Sequence, residues 1–135
     1  MDALPLEVLP GTLAVLRFDP GSSIPAWTRV DGCLWASLQT VDELTVICPE
    51  TEATVAEIGK LPEGRRQGDW AALRVAGVLD FSLTGILAGL SGILAARNVS
   101  IFALSTFDTD YILVRRGDLS RALAALRGAG HTVAE

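Results

Sequence analysis

The turn Ser105-Thr106-Phe107-Asp108-Thr109-Asp110 gathers hydroxyls and two carboxylates between apolar stretches. Carboxylates at Asp108 and Asp110 can accept hydrogen bonds from an ammonium group, and charge-assisted bonds of this kind are the stronger ones. A second stretch, Thr84-Gly85-Ile86, opens a helix-like pattern. The start of a helix offers free backbone N–H groups and partial positive charge, which suit a carboxylate. Gly85 lacks a side chain where a ligand backbone would approach. The two stretches therefore hold partners for both ends of an amino acid, without choosing which one. Each piece has a plainer reading beside this one. Gly85 also lets a helix pack closely on a sheet, and Asp108 and Thr109 are ordinary turn formers. Phe107 is either a core residue or a lid, and Tyr111 reads as a half-buried strand residue rather than a ligand contact.

Nothing else in the chain assembles into a catalytic set. His131 is the single histidine and follows the helix-stopping Gly130, so it reads as a surface or strand-end residue. Cys33 and Cys48 lie in apolar, strand-like surroundings without CxxC spacing, and read as two buried structural thiols. A single disulfide between them is an open alternative that the sequence does not imply. Neither thiol has a histidine close in sequence, and no zinc set forms at normal ligand spacing. There is no P-loop, no GxGxxG and no GxSxG. An enzyme would have to use Asp108 and Asp110 alone as acid and base. The expectation is a protein without catalysis, metal or cofactor.

Composition narrows the partners. Half of the 135 residues are hydrophobic and 20% are charged, enough for a packed core and far from a disordered composition. The net charge of -5, with basic residues scattered apart from Arg65-Arg66 and Arg115-Arg116, argues against nucleic acid, whose binders neutralise phosphates with Lys and Arg. The longest uncharged apolar-rich run, residues 81–96, falls short of the ~20 residues that cross a bilayer. The first residues lack the basic and apolar regions of a signal peptide. The expectation is a soluble, cytoplasmic protein with no membrane contact.

The elements that must position the two polar stretches follow from periodicity. Residues 70–76 form an apolar run of strand length. Leu83, Ile86, Leu87, Leu90, Ile93 and Leu94 then mark one face of a helix, with Ser82 as N-cap and Arg97-Asn98 as stop. Residues 99–104 and 110–114 read as strands around the polar turn. Gly117-Asp118 opens a second helix with Leu119, Ala122, Leu123 and Leu126 on one face. Gly130 ends it before a short strand at residues 131–133. The order is β-α-β-β-α-β. The first half repeats it in worn form: strands at 13–18, 34–38 and 44–48, and a helix opening at Pro49-Glu50. Residues 19–25 hold too many breakers for more than one helical turn. Thr40-Val41-Asp42 and the strand after it echo Thr106-Phe107-Asp108 and its strand, with one residue of offset.

The predicted fold class is therefore α+β, two ferredoxin-like βαββαβ units with antiparallel sheets, the first with a reduced first helix. The units divide as 1–66 and 67–135. The uncharged outer face of the helix after residue 83, with Ala88, Gly89, Ser91, Gly92 and Ala95, predicts cover by the first unit or by a second subunit, since exposed helix faces normally carry charge.

The run Gly77-Val78-Leu79-Asp80-Phe81-Ser82-Leu83-Thr84-Gly85-Ile86-Leu87, then Val99-Ser100-Ile101-Phe102, then Ser105 to Val114, resembles the ACT domain family. The chain is most similar to its compact tandem members, a branch that includes cytosolic arginine sensors of animals. The resemblance implies an amino-acid-binding regulatory or sensor protein, with Thr84, Gly85 and Ile86 on one wall of the ligand site. Ser105, Thr106, Phe107, Asp108 and Asp110 would come from the same or a facing unit. It also implies homodimers through the second units and output through an unknown protein target. The alternative is a structural or interaction module of ACT-like fold that has lost its ligand.

Overall fold

The computed structural model describes residues 2–80 and 84–135. These residues form eight strands and three α-helices. In chain order they are β1 (Pro5–Val8), β2 (Leu13–Phe18), β3 (Ala36–Gln39), β4 (Leu44–Pro49), α1 (Glu52–Gly59), β5 (Arg66–Val75), α2 (Ile86–Ala95), β6 (Ile101–Ser105), β7 (Asp110–Arg115), α3 (Leu119–Gly128) and β8 (Thr132–Ala134). They pack as two units, residues 10–70, and residues 2–9 together with 71–135. Residues 2–9 group with the C-terminal unit, and β5 is divided, with residues 66–70 and 71–75 in different units.

In the 10–70 unit the strand order is β3-β4-β2-β5, with every pairing antiparallel. Residues 19–25 form no helix, as their breakers predict, and a single 3-10 turn at Ala26–Thr28 follows them. The helix expected at Pro49 begins three residues later, because Pro49 still pairs with Leu13 as the end of β4. Its start is a capping box. Thr54 N–H donates to Thr51 Oγ1 at 3.3 Å, and Thr51 N–H donates to Thr54 Oγ1 at 2.8 Å. Ala14, Leu16, Leu44, Val46, Cys48 and Ile58 form the core of this unit. A bulge lies where Leu13 pairs with Trp70 but Val15 with Gln67, so β5 carries one residue more than β2. Asp69 takes the left-handed conformation there (φ 66°), and its N–H donates to Glu50 Oε1 at 2.9 Å.

In the second unit, β7 lies between β6 and β5. On the other side of β5 comes β1, a strand absent from the sequence reading. It runs antiparallel to β5 and parallel to β8, with Leu6 opposite both Val75 and Val133. The predicted helix face is realised from Ile86 onward. Leu90 and Leu94 are buried, and Ile86, Leu87 and Ile93 pack against the same core. Full burial of each Leu contributes about 2 kcal/mol. The N-cap of this helix is Gly85 at φ 78°; Ser82, expected as the N-cap, and Leu83 lie outside the described residues. Helix α3 buries Ala122, Leu123 and Leu126 as its spacing predicts. It ends in a Schellman motif: Gly130 N–H donates to Arg127 O and His131 N–H to Leu126 O, with Gly130 at φ 101°.

His131 is not a surface residue. It is 5% exposed, and its Nδ1 accepts a hydrogen bond from Leu4 N–H at 3.0 Å. Cys48 is fully buried, Cys33 is half-buried, and both thiols are free. Among the described residues no helix is long and apolar enough to cross a membrane.

Candidate functional site

The β6–β7 hairpin is built by its strand register. Ser105 pairs with Asp110, which leaves Thr106 to Thr109 as the turn. Thr106 closes it in three ways. Its N–H donates to Thr109 O at 2.8 Å, its Oγ1 donates to Thr109 O at 3.2 Å, and that same Oγ1 accepts from Thr109 N–H at 3.3 Å. Local side-chain bonding of this kind is why Thr favours turns. The hydroxyl of Thr109 is buried and donates to Val75 O at 2.7 Å, which fixes the turn to the end of β5. Leu79 N–H donates to Asp108 O at 2.7 Å and holds the segment after β5 against the same turn.

The equivalent hairpin of the 10–70 unit uses the same closure. Thr40 N–H donates to Glu43 O at 2.9 Å, and Glu43 N–H donates to Thr40 Oγ1 at 3.1 Å. Gln39 pairs with Leu44 as Ser105 pairs with Asp110. Thr40 thus matches Thr106 and Glu43 matches Thr109, and the one-residue offset read from the sequence disappears. The apolar residues at the two tips, Val41 and Phe107, are 91% and 80% exposed. Phe107 is therefore not a core residue.

Between the β6–β7 turn and the start of α2 lies a cleft of about 280 Å³. One wall is Gly85, Ile86, Leu87 and Ala88. The other is the whole turn, Ser105 to Asp110, and among the described residues Leu79 and Asp80 also line it. All the residues singled out by sequence meet here except Thr84, which is exposed and does not line the cleft. The sequence reading missed Leu79, Leu87 and Ala88 as lining residues and counted Asp80 only as a helix-start charge. The signal for Leu87 and Ala88 was the free N–H groups of the first helical turn, which belong to these residues.

The polar character of the cleft is divided. Gly85 brings the positive end of α2 to one side, and its own carbonyl accepts the first intrahelical bond, from Gly89 N–H at 2.9 Å. On the other side Ser105 Oγ donates to Asp110 Oδ1 at 2.6 Å, orienting that carboxylate. Asp108 is exposed at the tip of the turn and Asp110 is half-buried. Tyr111 is half-buried too, and its side chain hydrogen-bonds Arg74, which is also held by Glu7. Tyr111 is thus engaged on the strand, apart from the cleft lining. No group of three or more His, Cys, Asp or Glu side chains able to hold a metal occurs among the described residues.

Comparisons with known proteins match this architecture. Residues 65–128 match a family model described as an ACT domain. No curated protein matches the chain. Among solved structures, the chain is similar to protein Atu0741 from Agrobacterium tumefaciens, with 30% identity, a TM-score of 0.81, and coverage of 98% of this chain and 93% of that one. A protein of unknown function from Vibrio cholerae, described as a possible transport protein, shares 15% identity at a TM-score of 0.69, covering 93% of this chain and 89% of that one. The fold also matches part of an aspartate kinase of Clostridium acetobutylicum, described as an allosteric enzyme. Identity there is 14% and the TM-score 0.61, over 89% of this chain and 33% of the kinase. With 30% identity along nearly the full length of both chains, the protein belongs to the same family as the Agrobacterium protein, and its residues 65–128 match the ACT domain.

Proposed function

We propose that this protein is a non-catalytic regulatory module that binds an amino acid in the cleft between α2 and the β6–β7 turn. The supporting observation is the division of charge across that cleft. The N-terminal turn of α2 suits the ligand carboxylate, while Asp108 and Asp110 face it with acceptors for the ammonium group. The ACT-domain match over the same residues supports the reading, since ACT domains generally bind amino acids in regulatory roles. Gly85, Ile86, Ser105, Thr106 and Phe107 serve as lining, with Phe107 positioned to close over a ligand side chain. Thr84 stays in the proposal as a neighbour of the wall rather than part of it.

The test is thermal shift against the standard amino acids. A ligand at 100 times its dissociation constant stabilises the fold by about 2.7 kcal/mol. Asp108→Ala and Asp110→Ala should each remove the shift while the apo melting curve stays near that of the parent. No shift with any amino acid at millimolar concentration would sink the reading and favour an interaction module.

We further propose a tandem of two ACT-like units in a cytoplasmic protein, supported by the matching closures at Thr40 and Thr106. Ala88, Gly92 and Ala95 are exposed on α2 and carry no charge, which supports a homodimer through this face and output to a partner protein. A sedimentation mass that stays monomeric at every concentration would overturn the dimer.

A further inference from the structure

A second concavity lies in the 10–70 unit, at the end of β2. It is a shallow depression of about 300 Å³, open to solvent, and Arg17 and Arg65 are among its lining residues. Both guanidinium groups converge on one carboxylate oxygen. Arg65 Nη1 donates to Asp19 Oδ1 at 3.0 Å, and Arg17 Nη1 stands 3.9 Å from the same atom. A guanidinium carries five N–H donors in a planar fork suited to a carboxylate, so a single shared oxygen leaves donors on both over. The three groups sum to one positive charge, in a chain whose net charge is -5. The rest of the hollow is lined mainly by Phe18, Leu61 and Pro62.

Asp19 marks the kind of group the arginines accept, and it is poorly held. Its side chain is 74% exposed, and it follows the strand at the head of the Asp19-Pro20-Gly21 turn. Exposed ion pairs contribute little to stability, so replacing this carboxylate by another costs little. Arg17 has a second tie, its Nη2 donating to Asp42 O at 3.3 Å.

We propose that this hollow is a second ligand site, taking a small carboxylic acid with an apolar body. The ligand carboxylate displaces Asp19 between Arg17 and Arg65, and its apolar part lies on Phe18, Leu61 and Pro62. The site is separate from the α2 cleft and does not depend on amino-acid binding there.

Titration of the full chain with benzoate, followed by amide NMR at low salt, tests this. Asp19→Ala removes the internal competitor and should tighten benzoate binding about fivefold, whereas Arg65→Gln should weaken it about tenfold. Neutral benzamide should not bind. The amide shifts should centre on residues 17–22 and 61–65. Unchanged affinity in either variant, equal binding of benzamide, or shifts centred on residues 85–88 and 105–110 overturns the proposal. The Asp19 side chain is largely exposed and that of Arg65 half-buried, and amide spectra without ligand confirm that both variants are folded.

Discussion

Leu79 and Asp108 are joined backbone to backbone, the N–H of one donating to the carbonyl of the other at 2.7 Å. This bond ties the segment leading to α2 to the turn that carries the cleft carboxylates. Thr109 adds a second tie, from its buried hydroxyl to Val75 O. The β6–β7 turn and Leu79 are therefore fixed relative to the end of β5. Under the proposed function, a turn held in this way would lower the cost of binding.

Thr109→Val keeps the shape of the side chain and removes its donor. Val75 O then loses this buried partner, and stability should fall by about 1–2 kcal/mol in urea unfolding. Thr109→Ser keeps the hydroxyl and should recover most of the loss. If the Val and Ser variants unfold alike, the bond to Val75 carries no weight in the fold.

Gly85→Ala tests the entry to α2. Among the described residues, no heavy atom beyond its immediate chain neighbours lies within 4 Å of the added carbon, so a clash is not the issue. The cost comes from φ 78°, which an L side chain adopts at a penalty of about 1 kcal/mol. Gly85→Asn should cost less, because Asn tolerates this region better. Equal melting temperatures for the Gly, Ala and Asn forms would show that the left-handed N-cap is not kept in solution.

Much of the second unit was legible because its helices bury one stripe each and its strands are short apolar runs between turn residues. Leu90, Leu94, Ala122, Leu123 and Leu126 are buried at the positions their spacing marks. The cleft was legible for a different reason: hydroxyls and carboxylates stood out in an apolar chain. What could not be read were features fixed by pairing partners distant in sequence. Pro5–Val8 is too short to signal a strand by itself, and its place follows from Val75 and Val133. The helix at Pro49 was misplaced because a proline at a strand end and one at a helix start look alike in sequence. Only the pairing with Leu13 separates them. Of the two readings of His131, strand end holds, since it directly precedes β8, and surface fails for the same reason, since its partner is the amide of Leu4.

Cys48 sets an alkaline limit on stability. Burial raises its thiol pKa from the ordinary 9.0 to about 11, with the nearby Glu50 charge adding to the effect. Between these values the unfolded chain has released the proton and the folded chain still holds it. The folded state binds more protons there, so stability is intact below pH 9 and falls as pH rises to 11. The loss approaches about 2 kcal/mol. Cys48→Ala should be less stable at pH 7, since it leaves a small cavity, but should show a shallower decline from pH 9 to 11. Parallel declines in the two proteins would show that Cys48 does not set the limit. The same burial predicts that thiol reagents at pH 8 label half-buried Cys33 ahead of Cys48.

The N-terminal strand offers the last test, because it completes a unit to which it is not adjacent in sequence. Leu6 is 4% exposed and joins the core of Leu73, Val75, Ile112 and Leu126. Leu6→Ala should cost about 2–4 kcal/mol through lost burial and the cavity left behind. His131→Ala leaves the Leu4 N–H without its acceptor and should also destabilise, by about 1–3 kcal/mol. The decisive readout is hydrogen exchange. If β1 is a full member of the sheet, Leu6→Ala should speed exchange at amides of β5 and β8 that face it, while amides of β3 and β4 change far less. Exchange that rises only within residues 4–9 would instead describe a strand laid on the unit after it has folded.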